Sequence, residues 1–248
     1  MSVIAPSSPW VQIFPGPLIP DVLAYVRDTW SWLRATYPDT IAFHWEEPHL
    51  TDSLCEALND RDRRQKNTIH CDFQAETWEL RRNPATGEVT RIARADIRVT
   101  LGAPGTPHLV LEFKKLDGTA NARWRYCFDG MNRFVEGKYA VQHEYGVMYG
   151  FSCIDPSTES VAMAAYISSL DYPERLSCVI DSAGSFITAP SPTDPLGAHF
   201  DTRHAIATTS HIVLLHALIP CSCPPACKHK RKAAGKRKRK STPPVTSG

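Results

Sequence analysis

Asp96, Glu112 and Lys114 are ionisable residues set in stretches that otherwise belong in a protein interior, ADIRVTL and HLVLEFKKL. Read as strands 94–101 and 108–115 joined by the turn GAPGTP, they form an antiparallel hairpin in which paired residue numbers sum to about 209. Asp96 then falls opposite Phe113 to within a residue, beside Glu112 and near Lys114. Strand side chains alternate, so Glu112 and Lys114 share one face while Leu111 and Phe113 share the other. Burying two neighbouring carboxylates is costly unless a cation neutralises them. A divalent metal meets that need: Mg²⁺, with Mn²⁺ as its substitute, takes one or two carboxylates and completes its shell with water and phosphate oxygens. An adjacent lysine can orient a water or, as the neutral amine, take its proton, and as the ammonium it can offset charge developing on phosphorus.

The surrounding chain supplies elements to hold these groups. Residues 1–20 are proline-rich and read as an extended wrap. Apolar spacing predicts a helix over 21–37, with Asp21 as its N-cap, and a second over 50–66. CDFQAETWELRRN, the turn NPATGE and VTRIARADIRVTL give two strands before HLVLEFKKL. A helix is expected over 120–143, a buried strand at YGVMYGFSC, a helix over 157–170, and strands near 178–188 and 211–219. This order is that of an α/β (α+β) fold, a central mixed β-sheet flanked by helices. It divides into an N-terminal segment (1–44), a main domain (45–219) and a tail (220–248).

Asp96, a hairpin loop, then Glu112-Phe113-Lys114 resembles the catalytic signature of the PD-(D/E)XK, or restriction-endonuclease-like, nuclease superfamily. Ala95 stands where that pattern often has proline. The resemblance covers roughly residues 45–170 and implies a Mg²⁺-dependent endonuclease acting on DNA, RNA being the other polymer of the same chemistry. It assigns Asp96 and Glu112 as metal ligands and Lys114 to the attacking water. Such folds carry a further acid on a helix before the hairpin. Glu47 in WEEPHLTDSLCEAL takes that place, with Glu46, Glu56 and the strand residue Glu76 as substitutes. On the following helix, GMNRFVEGKYA places Arg133 and Lys138 for phosphate contact, and Arg123 and Arg125 add charge. Tyr126, Phe134 and Tyr139 read as core.

Charge is unevenly placed. The tail KHKRKAAGKRKRK holds nine of the 28 Lys and Arg, leaving 19 against 26 acidic residues and a formal −7 for residues 1–227. Lys230, Arg231, Lys232, Lys236, Arg237, Lys238, Arg239 and Lys240 form a block that should stay disordered and draw polyanions to it. Five cysteines (Cys55, Cys71, Cys127, Cys153, Cys178) are scattered singly and read as reduced thiols. Cys221, Cys223, Cys227 and His229 offer soft ligands for Zn²⁺ in an irregular spacing, the other reading being exposed thiols on a leash. His211 and His216 fall on opposite faces of their strand. No phosphate loop, dinucleotide fingerprint or nucleophile elbow occurs, so a motor or specificity subunit would be a separate chain. With no long apolar run and no leader pattern, the expected setting is the cytoplasm, at the nucleoid in a prokaryote, or the nucleus in a eukaryote. A homodimer suits two-strand cutting. The competing class is a catalytically silent nucleic-acid-binding or scaffold protein that keeps the same fold.

Overall fold

Seven strands form one mixed sheet in the order β1-β2-β3-β4-β7-β6-β5. The computed structural model describes residues 14–82, 89–102, 108–139, 144–206 and 211–223, with backbone alone for 76–82 and 89–93. The strands are β1 (Asp72–Arg82), β2 (Val89–Thr100), β3 (His108–Leu116), β4 (Tyr145–Ser152), β5 (Ile187–Thr188), β6 (Phe200–Ala205) and β7 (His211–Pro220). The helices are α1 (Ile19–Thr36), α2 (Glu47–Leu58), α3 (Arg61–Lys66), α4 (Ala120–Arg125), α5 (Asn132–Val135), α6 (Pro156–Ile167) and α7 (Tyr172–Arg175). A π-helical stretch, Tyr126–Met131, joins α4 to α5. β3, β4 and β7 run parallel at the centre, and the outer pairs are antiparallel. A mixed α/β fold is therefore what this sequence makes.

Centrality explains the apolar run of β3, which is covered on both faces. Leu109, Leu111 and Phe113 join one core with α1 and α2, whereas Val110 and Leu116 join the other with Tyr126, Met131 and Phe134. In the first core Phe113 stacks on Tyr149 at 4.9 Å, and the Trp30 ring lies 4.7 Å from Phe151. Gly130 lets the π-helical stretch lie close over β3: a Cβ there would stand 2.6 Å from Met148 Cε and 3.5 Å from Lys114 Cγ.

Several expected elements shift. The β2–β3 register places Ile97 opposite Leu111 and Val99 opposite Leu109, one residue from the expected pairing, and the ladder stops at Ile97. The single helix over 50–66 is two, because Asp60 accepts a hydrogen bond from Arg63 N at 2.8 Å and caps a new start. α1 begins at Ile19 with Pro20 in its first turn, so Asp21 lies inside the helix rather than capping it. The helix over 120–143 ends its regular turns at Val135. The strand near 178–188 is only Ile187–Thr188, and β6 was not anticipated.

Helix α1, from the segment before residue 44, packs into the same core as the strands. Residues 221 and 222 are bonded to the body. Cys221 N donates to Ser152 O at 2.7 Å, Phe43 N donates to Ser222 O at 2.8 Å, and Ser222 pairs with Ala42. Cys221 is buried rather than on a leash, and burial pushes its thiol up to about 12. That opposes its service as a thiolate ligand. Cys227, His229 and the basic residues Lys230 to Lys240 lie outside the described residues. His216 is buried within β7, and His211, at the first residue of that strand, is exposed. Cys55, Cys71 and Cys127 are buried free thiols. Among the described residues no helix is long and apolar enough to cross a membrane.

Candidate active site

Glu47, Asp96, Glu112 and Lys114 come together. Lys114 Nζ lies 2.8 Å from Glu112 Oε1, 3.0 Å from Glu47 Oε1 and 3.9 Å from Asp96 Oδ2. Each acid arrives on a different element for a local reason. Pro48 in the first turn starts α2 at Glu47, and a carboxylate is favourable at a helix N-terminus. Glu47 Oε2 also accepts from Lys115 N at 3.0 Å, tying that end of α2 to β3. Asp96 sits where the β2–β3 ladder has stopped, and its Oδ2 accepts from Phe113 N at 2.8 Å. Glu112 and Lys114 share a face of β3, so their heads meet two residues apart.

Glu112 is fully buried, and its oxygens are taken by the chain's own donors. Oε1 accepts from Lys114 and, at 2.9 Å, from Arg133 Nη1, while Oε2 accepts from Tyr139 OH at 2.8 Å. Arg133 Nη1 also donates to Tyr139 OH at 2.8 Å. Arg133 therefore points at Glu112, not freely toward solvent. Lys138 is exposed and paired with Glu136. Arg123 is bidentate to buried Glu159, with both bonds at 2.9 Å, and adds no free charge to the site. Glu46 and Glu56 are exposed, and the side chain of Glu76 lies outside the described residues. Tyr139, expected as simple core, touches the site through a hydroxyl; six residues from Arg133, it carries no spacing signal that could have announced it.

Three carboxylates face two cations, which leaves one formal negative charge. Burial, and next the charge of Asp96, push Glu112 up to about 7 against the pull of Lys114 and Arg133. Burial also raises Asp96, although Lys114 and the Phe113 N–H oppose it. Burial draws Lys114 down, yet Glu112, Asp96 and Glu47 outweigh it and the ammonium is held above its usual range. The two directions agree: Lys114 answers to three carboxylates, Glu112 to burial and to Asp96.

A carboxyl raised in the folded state costs stability as pH climbs from the ordinary Glu value through about 7. Urea unfolding should show stability falling across that window by on the order of 3 kcal/mol, with Glu112→Gln flattening the profile. An equally steep profile in the variant would assign the titration elsewhere.

Among the described residues no cluster of three or more His, Cys, Asp or Glu is closed at metal-ligand spacing. The ammonium occupies the position that the carboxylates share. The donor set is nevertheless of the kind a hard cation takes: carboxylate oxygens with an excess negative charge, and an Asp96 Oδ1 that accepts no hydrogen bond among the described residues. Glu47 and Lys114 open onto a cavity of about 250 Å³ lined also by Phe43, Lys115, Asn121 and Arg125. Comparison with protein-family models, curated proteins and solved structures gives no match to this chain.

Proposed function

We propose that this chain is a divalent-metal-dependent endonuclease with a restriction-endonuclease-like core, hydrolysing DNA phosphodiesters. The observation that carries the reading is the convergence of Glu47, Asp96 and Glu112, from α2, β2 and β3, on the buried ammonium of Lys114 beside an open cavity. Asp96 and Glu112 would hold Mg²⁺ or Mn²⁺, with Glu47 joining them. When bound, such an ion lowers the pKa of water and offsets charge on the phosphoryl oxygens. Lys114, held protonated by its three carboxylates, serves better to orient a water and stabilise developing negative charge than to abstract a proton. Arg133 and Tyr139 keep Glu112 in one orientation. Incubation with supercoiled plasmid and single-stranded circular DNA in Mg²⁺, beside Lys114→Ala, tests the reading; cutting that survives the substitution would sink it.

A second reading draws on the saturation of Glu112 by Lys114, Arg133 and Tyr139: a silent scaffold in which the cluster is a buried ion network. It forecasts no cleavage with any metal or substrate.

The tail is the proposed tether. Ending the chain after Cys223 should leave the fold intact, because it keeps the backbone ties of Cys221 and Ser222 to the body. Affinity for DNA at low salt should drop roughly ten- to hundred-fold, and the slope of log affinity against log salt should flatten by about 0.7–0.9 per lost phosphate contact. Anisotropy titrations across salt concentrations measure both, and an unchanged slope would show that the body alone binds.

A further inference from the structure

Independently of the nuclease reading, we propose that a second cavity, beside Asp201 on β6, binds the protonated amine of a small organic monocation. The cavity measures about 220 Å³ and opens to solvent. That is below the drug-sized range of roughly 300–1,000 Å³, but a cavity of about 150 Å³ suffices for benzene. The ligand is therefore limited to on the order of six to nine non-hydrogen atoms. The cavity stands apart from Lys114. β6 lies three strands from β3. Asp201 pairs with Leu215 of the first core, whereas Glu112 alternates with Leu111 and Phe113 of that core and so faces the other side of the sheet.

The observation that carries the site is a buried charge without a partner. Asp201 is 4% exposed, and among the described residues neither of its carboxylate oxygens has a hydrogen-bond partner. Strand register aims it at the cavity. Tyr145 pairs with Val213, Val213 with Arg203, and Asp201 with Thr188, and all five line the cavity from one face of the sheet. Burial and Glu144 raise the Tyr145 phenol, and the charge of Asp201 adds to that rise. Burial pushes Asp201 itself up to about 6 against the pull of the nearby Ser191 and Thr193 hydroxyls, and Asp194 adds to the rise. At neutral pH the carboxylate is thus mostly ionised, and a buried ionised group without a counter-ion is costly. Arg27 does not supply one, because its Nη1 is bound to Asp194 at 3.0 Å.

The walls decide the class of ligand. Val179, Phe186, Pro192 and Val213 offer carbon surface, which suits an organic body better than a hydrated metal ion. Thr188 and Thr193 add hydroxyls that can accept from an ammonium whose other hydrogens meet Asp201. Arg203, exposed on the same wall, opposes a second cationic end. Asp181 is exposed and uses its Oδ1 to hold its own turn, accepting from Ala183 N and Ser185 N, both at 2.9 Å. Asp201 is therefore the buried acid that meets the ligand.

The experiment titrates full-length protein near neutral pH with benzylamine and, as its neutral counterpart, benzyl alcohol, read by calorimetry. Benzylamine should saturate at a Kd on the order of 1 mM or tighter, and benzyl alcohol should bind at least about ten-fold more weakly. Asp201→Asn should abolish that preference and keep or raise the thermal midpoint, because the amide removes an unpaired buried charge. Thr188→Lys sets an ammonium directly opposite Asp201 from within the chain. It should abolish benzylamine binding and raise the midpoint by about 2–4 °C, and it carries the test if Asp201→Asn fails to fold by circular dichroism. Amine binding that does not saturate, equal affinity for the alcohol, or undiminished binding by both variants overturns the site. A midpoint that falls in folded Asp201→Asn also overturns it, since the carboxylate would then be satisfied within the chain. Asp201-dependent uptake of Mg²⁺ without amine binding overturns the class of ligand.

Discussion

Lys114→Ala should lower the cleavage rate by roughly 10²–10⁴, the range expected when a positioned charge next to the reacting phosphate is removed. Substrate affinity should change little, because Lys114 is buried behind the cavity mouth and its contacts are to Glu47, Glu112 and the carbonyl of Phe113. The same substitution should destabilise the protein by about 3–5 kcal/mol at neutral pH, since it strands buried Glu112 beside Asp96 and Glu47 with Arg133 as the remaining cation. That cost should shrink on acidification: Glu112 already stands near 7 with Lys114 in place, and a neutral carboxyl needs no counter-charge. Lys114→Met, which keeps the stem, separates lost charge from lost packing. Rate measured per folded molecule, beside urea midpoints across pH, gives both numbers. A variant that cuts at the native rate would remove Lys114 from the chemistry.

Arg123→Ala should cost about 3–5 kcal/mol of stability with no loss of cleavage per folded molecule. Its Nε and Nη2 bond the two oxygens of Glu159, which is completely buried on α6, so truncation leaves a carboxylate without its partner inside the second core. Arg123→Lys should recover only part of the loss, because an ammonium cannot make the paired planar contact. Chemical denaturation checks the stability, and the plasmid assay checks the activity. A variant of native stability that binds DNA poorly would return Arg123 to a phosphate-binding role. Glu159→Gln should be milder than Arg123→Ala, since the neutral amide removes the buried charge itself.

Much of the site was readable because strand alternation and hairpin connection are local rules. Glu112 and Lys114 had to share a face, and GAPGTP had to return β3 antiparallel to β2. The register falls within the one residue the expectation allowed, and the ladder ends at Ile97, beside which Asp96 spends its side chain on Phe113 N. Glu47 is the acid singled out ahead of Glu46, Glu56 and Glu76; its reach to Lys114 depends on Pro48 starting α2 and on the docking of that helix. The arginines were the least legible. Arg123, Arg125 and Arg133 look alike in sequence, yet one braces Glu159, one is exposed at the cavity and one holds Glu112.

What local rules deliver here is the alternation of β3, the hairpin, the mixed sheet with its helices and the separation of a basic tail from an acidic body, because each depends on neighbours a few residues apart. The partners of the charged groups follow from another cause. A buried charge must find its counter-ion wherever the chain brings one, and Glu112 finds Arg133 and Tyr139 at sequence separations of 21 and 27. Such pairings depend on packing of the whole molecule, where desolvation makes each unmet charge costly, and no spacing rule along the chain encodes them.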